Sequence, residues 1–443
     1  MFRSSARKLE PAAVQLPPPY LSVHAPEFYR QDPALVPGLD QLLPPGGRCE
    51  FAFGGGSEGR DPAATVAPAS AQFVLSLFNE PEQIDAIADR VLAARAAGGI
   101  NTLVVAVNAR QLAGLGRWLE RRSAAGKLAG TRLLLAHDVA DALQQLPQRL
   151  QPVVEDNLIR MPISSEVENS AYRSFYVFSP QLQTLVARIR AYAKNGVSRA
   201  YLLGGPGSGK TSLAYYYHLI RGKGRFVSVN LAAENTGDKA SIKSLLCGHL
   251  SGSFPGAGAR TGAFTVARDG VCFLDEAQGI NGAVMETLME ALDNGQYLPL
   301  GASAKQPLDC ALLFATNRSW ETLRNSVNID EFTRLGAATL SVPELHKREE
   351  DMIAVVAATL CRLGARCTTW QPAQGLTEGA WQVVRECRWH GNVRALNRVL
   401  EAAFVDAAVR GDGSALLDIQ DIRAGIALWE PPDHHSHAIY SSN

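Results

Sequence analysis

The sequence predicts an α/β chain: a small parallel α/β unit, then a larger parallel sheet carrying a glycine-rich loop, then a helical C-terminal part. Three observations predict it. From Gln72 onward, short apolar runs alternate with amphipathic stretches of helical period. The run Arg199 to Leu203 leads straight into Gly204-Gly205-Pro206-Gly207-Ser208-Gly209-Lys210-Thr211, with a helical pattern behind it. A further apolar run, Val271 to Leu274, ends in Asp275-Glu276.

Taken in order, residues 1–70 are rich in Pro, Gly and Ala, and no apolar period persists through them, so a mostly disordered arm is expected. Residues 71–150 read as a small α/β domain. Its strands are Phe73 to Phe78, Thr102 to Val107 and Arg132 to Ala136, and its helices run from Pro81 to Ala97 and from about Arg110 to Ala124. A phosphorylatable receiver would need paired carboxylates after its first strand and an Asp after its third. On this count Asn79-Glu80 follows the first strand, Asn108 the second and His137-Asp138 the third, which favours a regulatory or docking scaffold. Residues 151–178 read as a linker. The stretch 179–340 is the loop-bearing core, 341–410 a helical region, and 411–443 a terminal helix with a disordered tail containing His434, His435 and His437.

Composition narrows the classes. The 443 residues carry 43 Lys plus Arg and 43 Asp plus Glu, which argues against a polybasic nucleic-acid or membrane binder. Mean hydropathy is near zero and no run approaches the roughly 18 apolar residues of a membrane span. The first residues lack an apolar export segment, so a cytoplasmic location is expected. Seven scattered cysteines form no C-x-x-C pair and suggest neither a disulfide framework nor a zinc site.

The loop at 204–211 fits G-x-x-x-x-G-K-S/T in full. Glycines let backbone N–H groups wrap phosphates, and the helix behind them adds the positive end of its dipole. Lys210 is placed for β- and γ-phosphates, and Thr211 for Mg²⁺. Asp275 would share the Mg²⁺ shell and Glu276 would polarise the attacking water. The run Ala311 to Thr316 ends at Asn317, either a γ-phosphate sensor or a turn former. ATP and Mg²⁺ are the ligands these residues imply.

Together these motifs resemble the AAA+ ATPases of the bacterial enhancer-binding type, which activate sigma-54 RNA polymerase. The resemblance runs from about Ser179 to Leu400. Phe226 to Ala233 is similar to the family's second strand, which implies that Asn230 holds the catalytic Glu until ATP is engaged. Leu246 to Ala257 resembles L-F-G-H-E-x-G-A-F-T-G-A, the segment whose loop grips sigma-54. Arg260 to Ala267 is similar to the family's stretch leading into the strand that carries the paired acids. Val342 to Asp351 looks like L-P-P-L-R-E-R-x-x-D. Trp389-His390-Gly391-Asn392-Val393-Arg394 is similar to W-P-G-N-V-R, which places Arg394 against the nucleotide from a helical lid. The family assembles as rings, so a homo-oligomer, expected hexameric, is implied.

Three departures bear on function. In Gly252-Ser253-Phe254-Pro255-Gly256-Ala257, Phe254 and both glycines persist but Pro255 replaces the contact Thr, removing a hydroxyl and an N–H and fixing φ. The loop either keeps its sigma-54 contact or has been remodelled. In the family's F-R-x-D-L-x-x-R-L stretch only the later arginine, Arg334, remains as the finger reaching a neighbour's phosphate; Arg318 and Arg324 are substitutes or plain surface charges. No helix-turn-helix is visible after the lid, so no direct DNA-binding module is expected. The implied function is ATP-driven remodelling of sigma-54 RNA polymerase; the alternative is an AAA+ remodelling ATPase acting on a different protein.

Overall fold

The computed structural model of the protein describes residues 20–43, 46–54, 72–161, 174–232, 239–253, 255–256, 258–277, 280, 282–318, 321, 338–367, 371–410 and 415–431. Its N-terminal part is a five-stranded, all-parallel sheet in the order β2-β1-β3-β4-β5. The elements are β1 (Tyr20–Pro26), α1 (Leu35–Leu42), β2 (Arg48–Gly54), β3 (Phe73–Leu77), α2 (Pro81–Ala96), β4 (Thr102–Val107), α3 (Leu112–Ala125), β5 (Thr131–Leu135) and α4 (Val139–Gln145). Leu35 and Leu39 of α1 and Leu143 of α4 pack on one face of the sheet; α2 and α3 cover the other.

This corrects the expected arm. Residues 20–43 and 46–54 are not a loose N-terminal extension: they contribute an interior strand, an edge strand and a helix. Leu21, Ser22, Val23 and His24 are all buried, because β1 lies inside the sheet with both faces covered. The correction also renumbers the strands. Phe73–Leu77 is third, so the residues after the first and third strands are Glu27 and Phe78-Asn79. Asn79, where a receiver would carry its acceptor carboxylate, is buried and donates from Nδ2 to the His24 carbonyl (2.8 Å) and Ser76 Oγ (3.0 Å).

The expected linker is also partly built in. Strands β6 (Leu158–Arg160) and β7 (Ser174–Tyr176) pair antiparallel. Before them, Asn157 is fully buried. Its Oδ1 accepts from Thr131 N–H, and its Nδ2 donates to the carbonyls of Thr131 and Val177 (2.9–3.0 Å), stitching the first sheet to the second unit.

The second unit holds α5 (Pro180–Lys194), β8 (Arg199–Leu203), α6 (Lys210–Arg221), β9 (Phe226–Asn230) and α7 (Lys239–Cys247). It continues with β10 (Gly248–His249), β11 (Arg260–Thr261), α8 (Ala263–Val266), β12 (Val271–Asp275) and α9 (Gly282–Asn294). Strands β13 (Gln296–Tyr297), β14 (Gln306–Pro307), β15 (Ala311–Thr316) and β16 (Ala338–Ser341) complete it. Its main sheet is parallel in the order β16-β8-β15-β12-β9. All five strands therefore end on one edge, where Gly204, Asn230, Asp275 and Asn317 collect.

The C-terminal region packs α10 (Glu349–Ala365), β17 (Gly375–Leu376), α11 (Glu378–Glu386), α12 (Asn392–Arg410), β18 (Leu416–Leu417) and α13 (Ile419–Trp429). The last helical stretch belongs to this bundle, since Arg410 Nη1 bonds Asp418 and Asp421 (2.8 Å each). The three tail histidines lie outside the described residues. One continuous apolar cluster joins Trp118 and Leu119 of α3 to Met352, Val356 and Leu360 of α10 and to Leu396 and Leu400 of α12. The N-terminal α/β domain and the helical region thus share a core.

Candidate nucleotide site

The loop 204–209 leaves β8, the buried strand between β16 and β15, and α6 begins at Lys210. Gly207 (φ +66°) and Gly209 (φ +103°) occupy the left-handed region. Both are also tightly approached. A Cβ at Gly207 would lie 2.4 Å from the Gly391 carbonyl, and one at Gly209 would lie 2.5 Å from the Phe175 ring. Ser208 Oγ is buried and has no hydrogen-bond partner among the described residues. A row of backbone donors around an unsatisfied buried hydroxyl suits phosphate oxygens.

Lys210 is folded onto its own loop, donating from Nζ to the carbonyls of Gly204 (2.8 Å) and Gly205 (3.0 Å). Burial pulls its pKa down, Asp275 and Glu276 push it back up, and Arg394 adds to the downward pull. Burial raises the Asp275 carboxyl, opposed chiefly by the Glu276 N–H, which donates to Asp275 Oδ1 at 2.9 Å. Lys210, Asp275 and Glu276 lie at the same edge of the parallel sheet, and Arg394 approaches the loop, its Cβ 2.8 Å from where a Cβ at Gly207 would sit. Glu276 itself has φ +54°, a left-handed conformation that a non-glycine residue adopts at a cost of order 1 kcal/mol or more. It places the residue at the sharp exit of β12.

Asn230 ends β9 in register with Asp275, and its Oδ1 accepts from the Ala232 N–H (3.0 Å). Asn317 is exposed one residue beyond β15, where the Thr316 carbonyl accepts from the Gly204 N–H (3.2 Å). Thr211 lies in the first turn of α6, partly exposed. A hydroxyl and a carboxylate are hard oxygen donors of the kind Mg²⁺ takes. Arg394, in the first turn of α12, is exposed. Arg334 and Phe254 lie outside the described residues, as does Arg324.

Below the loop that carries Phe254, Gly248 and His249 pair with Thr261 and Arg260. Leu250 N–H donates to the Leu300 carbonyl (3.0 Å), and Ser253 Oγ donates to the Leu250 and Leu300 carbonyls (2.6 and 2.9 Å). Pro255 and Gly256 are exposed, and nothing lies within 4 Å of a Cβ placed at Gly252 or Gly256. The base is braced; the residues above it project.

Three further residues join the site, each no more than a letter of a motif in the sequence. Asn392, buried with φ +48°, accepts from Leu345 N–H at Oδ1 (2.8 Å) and donates from Nδ2 to the Pro206 carbonyl (3.0 Å), tying the lid to the loop. Arg348, 2 % exposed, donates from Nη2 to the Ser208 carbonyl (3.4 Å). Asp351 accepts at Oδ1 from Phe178 N–H (2.7 Å) and also bonds the Ser179 hydroxyl. The R-x-x-D and G-N spacings are the available signals. Phe175, over Gly209, has no signal at all.

The chain is similar to several known proteins. Residues 176–341 match the Sigma-54 interaction domain. A Nif-specific regulatory protein of Herbaspirillum seropedicae is 30% identical over 239 residues, covering 53% of this chain and 43% of that protein. The nitric oxide reductase transcription regulator NorR2 of Cupriavidus necator is 32% identical over 254 residues, covering 54% and 46%. The chain thus spans about half the length of these relatives. Crystalline NtrX from Brucella abortus overlays with TM-score 0.49 and 19% identity, across 94% of this chain and 88% of that one. No helix among the described residues is long and apolar enough to cross a membrane. Over residues 176–341, then, the chain is similar to the Sigma-54 interaction domain.

Proposed function

We propose that the chain is an ATP-hydrolysing activator of sigma-54 RNA polymerase that works as a homo-oligomeric, expected hexameric, ring. The observation that carries this is the placement of Lys210, Asp275 and Glu276 at one sheet edge, within a segment that matches the Sigma-54 interaction domain, with Arg394 approaching Gly207 from the helical region. ATP with Mg²⁺ supplies the phosphoanhydride to be split and a divalent charge to neutralise its oxygens. Lys210 exchanges its two loop carbonyls for phosphate oxygens. Thr211 and Asp275 would hold the metal, and the backbone N–H groups of Gly205, Gly207, Ser208 and Gly209 would hold the phosphates. Glu276 takes the proton of the attacking water. Asn230 restrains Glu276, while Asn317 and Arg394 read the γ-phosphate. Arg334 reaches the site of the adjacent subunit, and the Phe254-Pro255-Gly256 loop carries the work to sigma-54.

The test is capture of purified sigma-54 by the full chain with ADP and aluminium fluoride, a mimic of the transition state. Nucleotide-dependent capture that Phe254→Ala abolishes is expected. Intact hydrolysis without sigma-54 capture, with another protein trapped from lysate in a nucleotide-dependent way, would move the chain to the remodelling of a different partner.

A further inference from the structure

The first turn of α10 touches three parts of the molecule at once. Arg348, just before the helix, donates to the Ser208 carbonyl of the phosphate loop. Asp351 holds the start of α5 through Phe178 and Ser179. Between them Glu350, 1 % exposed, faces the N-terminal sheet. There it accepts from Arg132 Nη2 at 2.6 Å and Nε at 2.9 Å, and from the Leu133 N–H at 3.2 Å. The Arg132 side chain is 3 % exposed, and β5 carries it. Arg149 lies 3.6 Å from the same carboxylate and bonds Glu349 at 2.9 Å. Burial pushes the Glu350 carboxyl up, and Arg132 is the main group opposing that push.

We propose that Arg132, a residue of the N-terminal domain, is a positioning residue for the ATP site: by fixing Glu350 it sets the first turn of α10 and holds Arg348 against the phosphate loop. The inference rests on the ATP-site reading above. A buried ion pair contributes little net stability, but removing one member strands the other charge in a low-dielectric interior. Glu350 must then move toward water or take up a proton. Two residues away, Arg348 is itself buried and is tied to the loop through its bond to the Ser208 carbonyl. Displacement of that turn therefore reaches Ser208 without passing through any residue that touches nucleotide.

The experiment measures ATP affinity with a fluorescent ATP analogue, along with KM, kcat and Tm, on the full-length chain. The variants are Arg132→Met, Arg132→Lys and Arg132→Met with Glu350→Met. Arg122→Met is the control: its guanidinium is also buried, but it bonds Asp89 of α2 (2.7 Å) and the Lys127 carbonyl (2.9 Å), both within the N-terminal domain. Arg132→Met is expected to raise KM for ATP roughly ten-fold, the size of an ordinary coupling between sites. Removing both charges should restore much of that loss, since no carboxylate is left unpaired. Should Arg132→Met fail to fold, Arg132→Lys, which keeps the charge but loses the forked contact, is expected to raise KM to a lesser degree. A KM unchanged in every Arg132 variant while Tm falls, or an equal rise in Arg122→Met, would overturn the proposal. A wild-type chain that binds no ATP overturns the site reading and this inference together, whereas normal wild-type turnover with insensitive Arg132 variants overturns this one alone.

Discussion

Glu276, the base of the proposed hydrolysis, also carries a strained backbone. Its φ of +54° is held by the bond from its N–H to Asp275 Oδ1, so the two acids are fixed relative to each other before any ligand arrives. Glu276→Gln keeps size, backbone and hydrogen-bonding capacity while removing the base. ATP binding should be retained and turnover should fall at least about a hundred-fold, the lower range of general-base contributions. Single-turnover hydrolysis by the purified variant measures it; a rate near wild type would assign the proton to another group. These two acids and the loop are legible in the sequence because their chemistry is local: a strand, a few residues, a helix. Arg348 bonding Ser208 across 140 residues, and Arg132 bonding Glu350 across 218, leave no such trace. The R-x-x-D spacing marks Arg348 but not its partner, and Arg132 is one more arginine among the 43 cations until the chain is folded.

At the scale of the element, β1 shows why a strand can be hidden. Its run Tyr20-Leu21-Ser22-Val23-His24-Ala25-Pro26 follows a proline cluster and carries polar residues at alternate positions, as a half-exposed strand would. Yet Ser22 and His24 are buried, bonded to each other at 3.1 Å, because the second face of the sheet is covered as well. The edge strand β2 is obscured differently, with Arg48 and Glu50 exposed and only partial burial elsewhere. Strands β3, β4 and β5 are legible because they are apolar almost throughout. Burying His24 has a consequence in acid. Burial, with Arg90 adding to it, lowers the His24 pKa from 6.5 to about 4. Between those values the unfolded chain takes a proton that the folded chain refuses, so stability is full above about 6.5 and is lost as pH falls toward 4. From pH 7 to pH 5 this one group should cost about 2 kcal/mol. His24→Gln, neutral throughout, should narrow its stability gap to wild type by about that amount over the same interval in urea unfolding. A gap independent of pH would show that the imidazole takes up its proton in the fold as readily as in the unfolded chain.

Across the whole molecule, the decisive feature is the join between α3 and α10. Gly116 lies where the two helices cross: a Cβ there would sit 2.1 Å from the Ala357 carbonyl oxygen and 2.8 Å from Cys361 Cβ. The nearest obstacle is backbone, so a rotamer change cannot relieve it. The lid strand adds a second close approach, with Gly375 against the Ala109 carbonyl and the Ala113 N–H donating to the Gln374 carbonyl at 2.8 Å. Because the apolar cluster runs through this join, the N-terminal domain and the lid are expected to open together. Gly116→Ala sets two effects against each other. Helix propensity favours alanine by up to about 1 kcal/mol, and overpacking against backbone costs about 1–3 kcal/mol. The clash should win, lowering stability by about 1–2 kcal/mol and Tm by a few degrees. Hydrogen exchange separates the two ways this can happen. Loss of protection in both α3 and α10 is the expected result of one cooperative unit. Loss confined to α3, with α10 still protected, would mean that the domains unfold independently, and the ion pair at Glu350 would then lack the rigid frame through which Arg132 acts on the phosphate loop.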